Sequence, residues 1–144
     1  MRLMTIALAA TVFTALPAAA NDTLYETLKL EVNAWETVGN ALYYVAVSDP
    51  GQRETALENY QDDAGDVARY IDGLATRLEA SQREQLLDPV ASDWLALKEL
   101  ADALIADVDA GSSGAIVDED IRAMWKQRDV LEGSIDTLIE AIRN

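Results

Sequence analysis

Leu57-Glu-Asn-Tyr60-Gln-Asp-Asp-Ala64-Gly-Asp-Val67-Ala-Arg-Tyr-Ile71-Asp-Gly-Leu74-Ala-Thr-Arg-Leu78 decides the fold. Its core-type residues step by 3,4,3,4,3,4 from Leu57 to Leu78, three heptads without a slip, with charged and small residues between them. Only a helix puts such a series on one face. The same spacing recurs on both sides. Val90, Trp94, Leu97, Ala101, Leu104 and Val108 form a second seam, and Ile121, Met124, Arg128, Leu131, Ile135, Leu138 and Ile142 a third with one polar intruder. Leu24, Leu28, Glu31, Trp35, Val38, Leu42 and Val45 make the fourth, again with one intruder. Four coiled-coil-like apolar seams predict four helices around one core. Joined by short connections, they predict an all-α, antiparallel up-down-up-down four-helix bundle. At about 25 to 30 residues each, the helices are roughly 40 Å long.

The boundaries carry their own chemistry. Thr23-Leu-Tyr-Glu26 and Ser81-Gln-Arg-Glu84 have the capping-box spacing that marks helix starts. Ser48-Asp49-Pro50-Gly51 stops the first helix and opens the second, with Asp49 as cap and Pro50 at the first helical position. Asp88-Pro89 interrupts the third segment, predicting either a kink near Pro89 in a helix begun at Ser81 or a restart capped by Asp88; the kink is the favoured expectation. Asp109-Ala-Gly-Ser-Ser-Gly114 reads as a flexible loop, followed by Asp118-Glu119-Asp120 where a helix N-terminus favours acids.

The N-terminus reads as an export signal: Arg2 supplies the charge, Leu3 to Leu16 is uncharged, Pro17 breaks the run and Ala18-Ala19-Ala20 suits signal peptidase. Residues 1–20 are therefore expected to be a signal peptide and residues 21–144 the bundle, periplasmic or secreted. An uncleaved anchor is the alternative, since 18 uncharged positions approach membrane length. No second apolar stretch reaches that length, so no stable membrane anchor is expected after cleavage. With 11 Lys and Arg against 26 Asp and Glu, the 144-residue chain carries a formal charge of −15. That charge repels phosphate backbones and argues against nucleic acid as a partner. The chain has no His and no Cys. Imidazole catalysis, thiolate nucleophiles, Cys/His zinc sites, haem ligation by His and Cys-held iron–sulfur clusters are excluded within it. The bundle needs no cofactor to fold.

One resemblance follows from Trp35-Glu-Thr-Val-Gly-Asn-Ala-Leu-Tyr-Tyr-Val-Ala-Val-Ser-Asp49, the turn after it, the heptad helix with Tyr60, and Leu86-Leu-Asp-Pro-Val-Ala-Ser-Asp-Trp-Leu-Ala-Leu97. The pattern resembles the periplasmic four-helix-bundle sensor domain of bacterial chemoreceptors and histidine kinases, over most of residues 22–143. The likeness implies a bundle that binds a small ligand; in that family the domain lies between two transmembrane helices and passes a helix displacement to a cytoplasmic part. No ligand-gripping arginine of the family is assigned to a position here.

Charged residues at core-facing positions are the first candidates, because an unpaired charge is costly there. Glu31 and Arg128 occupy seam positions on the first and last helices. They predict a salt bridge fixing register, a charged head reaching the surface over its own methylenes, or a polar pocket in which Arg128, with Glu31 and Trp35, grips a small anionic ligand. Trp35 and Trp94 fall on seams and are expected in the core; Trp125 lies one residue off its seam and either flanks the core or is a candidate partner contact. Tyr43 and Tyr44 cannot both face inward, and Tyr44 joins Trp125 as a candidate partner surface. Asp62, Asp63 and Asp66 are neighbours for which a cation is conceivable, against a solvated face. Asp107-Val-Asp109-Ala-Gly111-Ser-Ser113 with Asp118 loosely follows a calcium-loop spacing, but Ser112 stands where the turn needs Gly and Asp118 where a bidentate Glu belongs. No metal site is assigned.

An enzyme would have to work with carboxylates alone in a fold that offers little cleft, so no catalytic residue is assigned. Two readings remain. In the first, the chain is an exported, sensor-like module that binds a small ligand within or between bundles, with a homodimer compatible. In the second it is a periplasmic adaptor or chaperone-like protein that docks a partner through a helix face. An internal ligand requires a void bounded by Glu31 and Arg128. Docking requires apolar residues left outside the core.

Overall fold

The computed structural model describes residues 18–144. The export segment expected over residues 1–20 lies outside the described residues except for Ala18 to Ala20, which open the first helix. The described chain is all-helical: α1 (Ala18–Ala46), α2 (Pro50–Arg77), α3 (Ala80–Gln82), a π-helical turn (Arg83–Leu87), α4 (Asp88–Asp109) and α5 (Ala115–Arg143). Because α3, the π turn and α4 follow one another without a break, four long helices result. No strand occurs among the described residues, and no helix there is long and apolar enough to cross a membrane.

The stops and starts follow backbone chemistry. Asp49 has extended φ/ψ and its Oδ1 accepts the Gln52 N–H at 2.9 Å, while Pro50 takes the first helical position, where an N–H has no partner to give to. Arg53 Nε donates to the Val47 carbonyl at 2.8 Å and ties the turn down. The capping box expected at Thr23–Glu26 does not form. α1 already runs through Thr23, whose carbonyl accepts the Thr27 hydroxyl at 2.9 Å. The second box is displaced as well: Glu79 is the cap and Gln82 Oε1 accepts the Glu79 N–H at 3.1 Å, so the helix starts at Ala80 rather than Ser81.

Pro89 neither stops the third helix nor restarts it. A proline inside an α-helix has no N–H to donate and crowds the carbonyl four residues back. Here the turn before it opens to π spacing, with the Asp88 N–H donating to the Arg83 carbonyl. Asp88 is thus inside the run instead of capping it. From Leu87 onward the core series Leu87, Val90, Trp94, Leu97, Ala101 and Leu104 is buried and keeps heptad spacing.

α4 ends in a Schellman motif. The Gly111 N–H donates to the Val108 carbonyl at 3.0 Å and the Ser112 N–H to the Asp107 carbonyl at 2.8 Å, with Gly111 at φ 82°. Gly114 at φ 64° then precedes α5. Both glycines hold left-handed backbone that other residues adopt at a cost. α5 begins at Ala115, so Asp118 lies in its first turn.

The core agrees with three seams and corrects the fourth. Tyr60, Ala64, Val67 and Leu74 of α2, and Met124, Leu131, Ile135 and Leu138 of α5, are buried where their spacing put them. On α1 the buried series is Thr23, Thr27, Leu30, Ala34, Thr37, Ala41 and Tyr44, a heptad rotated from the expected one; Glu31, Trp35 and Leu42 are only partly buried and Leu28 is exposed. This face is the one turned to the core, and Ala34 and Ala41 on it are small and fully buried, while α1 and α2 run close together. Threonines serve because their hydroxyls return to their own helix, Thr27 to the Thr23 carbonyl and Thr37 to that of Asn33 at 2.8 Å, which leaves only methyl groups toward the core.

Polar contacts fasten the helices from outside. Arg77 grips Glu26 with Nε at 2.9 Å and Nη2 at 2.7 Å. Gly73 makes room for that carboxylate, since a Cβ there would stand 3.2 Å from Glu26 Oε2. Asn40 donates to Asp63 at 2.8 Å, and Ser134 to Asp93 at 2.6 Å. α1 meets α2, α4 and α5, and α4 packs against α5. Close backbone approach between α2 and α4 is slight, and a groove runs there.

Candidate binding surfaces

Helix α1 carries two faces. Behind the buried series, Tyr25, Leu28, Val32, Trp35 and Gly39 step by 3,4,3,4 along a shoulder toward α5. Tyr25, Leu28 and Val32 are 61, 39 and 47 % exposed, which is unusual for a heptad-spaced set. Across the seam, Trp125 of α5 is 42 % exposed. Trp35, Val38, Gly39, Leu42, Trp125 and Arg128 line a groove of about 370 Å³ there. Gly39 opens it, because a Cβ at that position would meet nothing within 4 Å.

Arg128 stands between the two indoles, its guanidinium carbon 4.5 Å from the Trp35 ring centroid and 5.4 Å from that of Trp125. Flat, weakly hydrated guanidinium suits such stacking. Its ion pairs are looser, 3.5 Å to Asp129 and 3.6 Å to Glu132. The structure therefore brings Trp35, Arg128 and Trp125 together and leaves Glu31 out. With the core face of α1 rotated, Glu31 sits at a half-buried margin, and the expected Glu31–Arg128 bridge does not form. Trp35 lines the groove instead of lying in the core; Trp94, by contrast, is buried as its seam position predicts.

Tyr44 is a correction. It completes the inner face of α1, is buried, and donates its hydroxyl to Asp109 Oδ1 at the end of α4. It is no partner surface; its neighbour Tyr43 is the exposed one. The hydrogen bond to the carboxylate, then burial, raise the Tyr44 phenol above its ordinary value, and nearby Arg53, 5.5 Å from the ring, partly opposes them.

The acidic sets do not converge. Asp63 turns toward Asn40 while Asp66 pairs with Arg69 at 2.8 Å, and burial, before the neighbouring acids, raises Asp63 above the usual carboxylate range. In the loop whose spacing only loosely follows a calcium site, Asp107 meets Asp120 rather than Asp109 and Asp118. Burial first, then the hydrogen bond and charge of Asp107, raise Asp120; its Oδ2 is buried without a hydrogen-bond partner. Among the described residues no three such side chains gather around a common point.

A larger hollow lies elsewhere. Between α2 and α4, Leu57, Tyr60, Trp94, Lys98, Asp102 and Ile105 border a groove of about 520 Å³. It continues past Leu95 toward Ile71 and Ala91. Tyr60 donates to Asp102 Oδ1 at 2.6 Å and Lys98 to Asp102 Oδ2 at 2.7 Å. Burial, then the bond to Asp102, raise the Tyr60 phenol far above its ordinary value. Sequence reading missed this group: Tyr60 counted as core, and the only signal was one phenol in an aliphatic seam with Lys98 and Asp102 spaced four apart on the other helix.

No family model, curated protein or solved structure matches this chain.

Proposed function

We propose that this chain is an exported, non-catalytic binding module, an up-down-up-down helical bundle whose work is done by the α1–α5 face. The antiparallel order is supported by the cross-links, since Glu26 meets Arg77 while Asn40 meets Asp63, and Asp93 meets Ser134 while Asp107 meets Asp120. Export to the periplasm or beyond is supported by the charge and alanine pattern of residues 1–20.

One observation carries the choice of face: the core seam is filled by Leu30, Ala34, Leu131 and Ile135, while the outer heptad of α1 is left in water beside Trp125. A heptad-spaced apolar face fits a helix, and tryptophan with arginine is the pair that most often carries interface energy. The occupant is a second copy of this chain. A two-fold axis through Val32 sets Tyr25 of each copy, seven residues before it, over Gly39 of the other, seven residues after it. The open space at Gly39 receives the ring. The same axis sets Lys29 beside Glu36 of the other copy, an attractive pair flanking the seam. Partner helices of other proteins would use the same face.

Sedimentation equilibrium tests this. The expected result is a reversible dimer that Val32→Glu abolishes while leaving the helical circular dichroism and melting of the monomer intact; a wild-type monomer at all concentrations overturns it. The second reading, sensor-like capture of a small ligand, is supported by the resemblance to sensor bundles and by the α2–α4 groove rather than by Glu31 and Arg128.

A further inference from the structure

We propose that the α2–α4 groove binds an organic ammonium ion with an apolar body, of the alkylamine or alkyltrimethylammonium class. The groove already holds a cation of its own. Lys98 Nζ lies 2.7 Å from Asp102 Oδ2 and 5.9 Å from the centroid of the Tyr60 ring, a carboxylate and an aromatic face that together define an ammonium position. Asp102 is aimed there by a second helix, because the buried Tyr60 hydroxyl holds its other oxygen at 2.6 Å. Lys98 is a weak occupant: its bond to Asp102 is a solvent-exposed i,i+4 pair, and the flexible stem swings out at little cost. An external ammonium takes over the same carboxylate and ring.

The rest of the groove selects what the ammonium is attached to. Leu57, Trp94, Leu95 and Ile105 offer an apolar wall, and Leu95 is 58 % exposed. On the α2 side Gly65 leaves space, since a Cβ there would meet nothing within 4 Å. A volume of about 520 Å³ is that of small-molecule sites. A formal charge of −15 draws organic cations toward the surface and repels fatty-acid-like anions of the same shape. The groove is on a different pair of helices from the α1–α5 face, so this inference stands or falls independently of the dimer.

Titration calorimetry of octyltrimethylammonium chloride, below its micelle concentration, into the full chain is the test, with sodium octanoate as the counterpart. The expected result is one saturable site for the cation and none for octanoate. Asp102→Asn weakens the cation at least tenfold, and Lys98→Met, which removes the internal competitor, binds as tightly as wild type or several-fold tighter. Circular dichroism confirms that both variants are folded; Lys98→Met keeps the test decisive if Asp102→Asn is not. Absence of saturable binding, binding of octanoate, affinity unchanged in Asp102→Asn, or a tenfold loss in Lys98→Met each overturns the proposal.

Discussion

Helix α2 is held differently by its two neighbours. Toward α1 the backbones run close together, tied by Glu26 to Arg77 and Asn40 to Asp63; toward α4 it faces Trp94 and Leu95 and stays apart, leaving the groove above Tyr60. The same helix thus has one side where a single extra methylene is a collision and one where it is a filler. Small residues act oppositely on the two sides. Gly73 gives room to the Glu26 carboxylate of α1, whereas Gly65 and Ala68 line the open groove, and a Cβ at Gly65 would meet nothing within 4 Å.

This contrast can be broken by substitution. Leu74 of α2 is fully buried, and Leu74→Ala should cost about 2–5 kcal/mol in urea unfolding, while Leu95→Ala at the groove should stay within about 0.5 kcal/mol. Next, Ala34→Leu should destabilise by about 1–3 kcal/mol through overpacking, and Ala68→Leu, which points into the groove, should be tolerated. Comparable losses in both would mean that the gap closes in solution. Gly65→Ala should stabilise by about 0.4–1 kcal/mol, because a helical glycine gains a Cβ with no neighbour to meet it.

The smallest effect concerns charge. Asp120 has its proton affinity raised in the folded state, so the folded protein binds that proton more readily than the unfolded chain and is favoured as pH falls. At neutral pH the ionised, partly desolvated carboxyl beside Asp107 is a burden. Asp120→Asn should therefore stabilise at pH 7 by less than about 1 kcal/mol, reduced by solvent screening at this part-exposed site. The gain should vanish below the ordinary carboxylate value of about 3.9. Urea melts at both pH values check this; a gain that persists in acid would contradict it.

Much of the fold was legible because heptad spacing depends only on local geometry, and Leu57 to Leu78, Val90 to Val108 and Ile121 to Ile142 all kept their faces. The face of α1 departs from its hydrophobic ranking because that ranking puts Leu28 and Trp35 above Thr27 and Ala34, while the buried face is made of small residues and of hydroxyls bonded to their own helix. Once that face had rotated, Glu31 left the core and Tyr44 entered it. The offset of Trp125 by one position left open whether it flanks the core or faces outward, and it is exposed. The π turn before Pro89 and the bond from Tyr60 to Asp102 were not legible, since one depends on how a strained helix relaxes and the other on two helices distant in sequence.

A second working face on α1 can be tested with a single thiol. The chain contains no Cys, so Val32→Cys introduces its only thiol, at the point where the two-fold axis is placed. A disulfide forms readily only between Cβ atoms about 3.5–4.5 Å apart. Under mild oxidation, Val32→Cys should form a covalent dimer at concentrations where Thr137→Cys, an exposed position on α5, stays monomeric. A Val32→Cys chain that remains monomeric, or that cross-links no faster than Thr137→Cys, would contradict a second working face on α1.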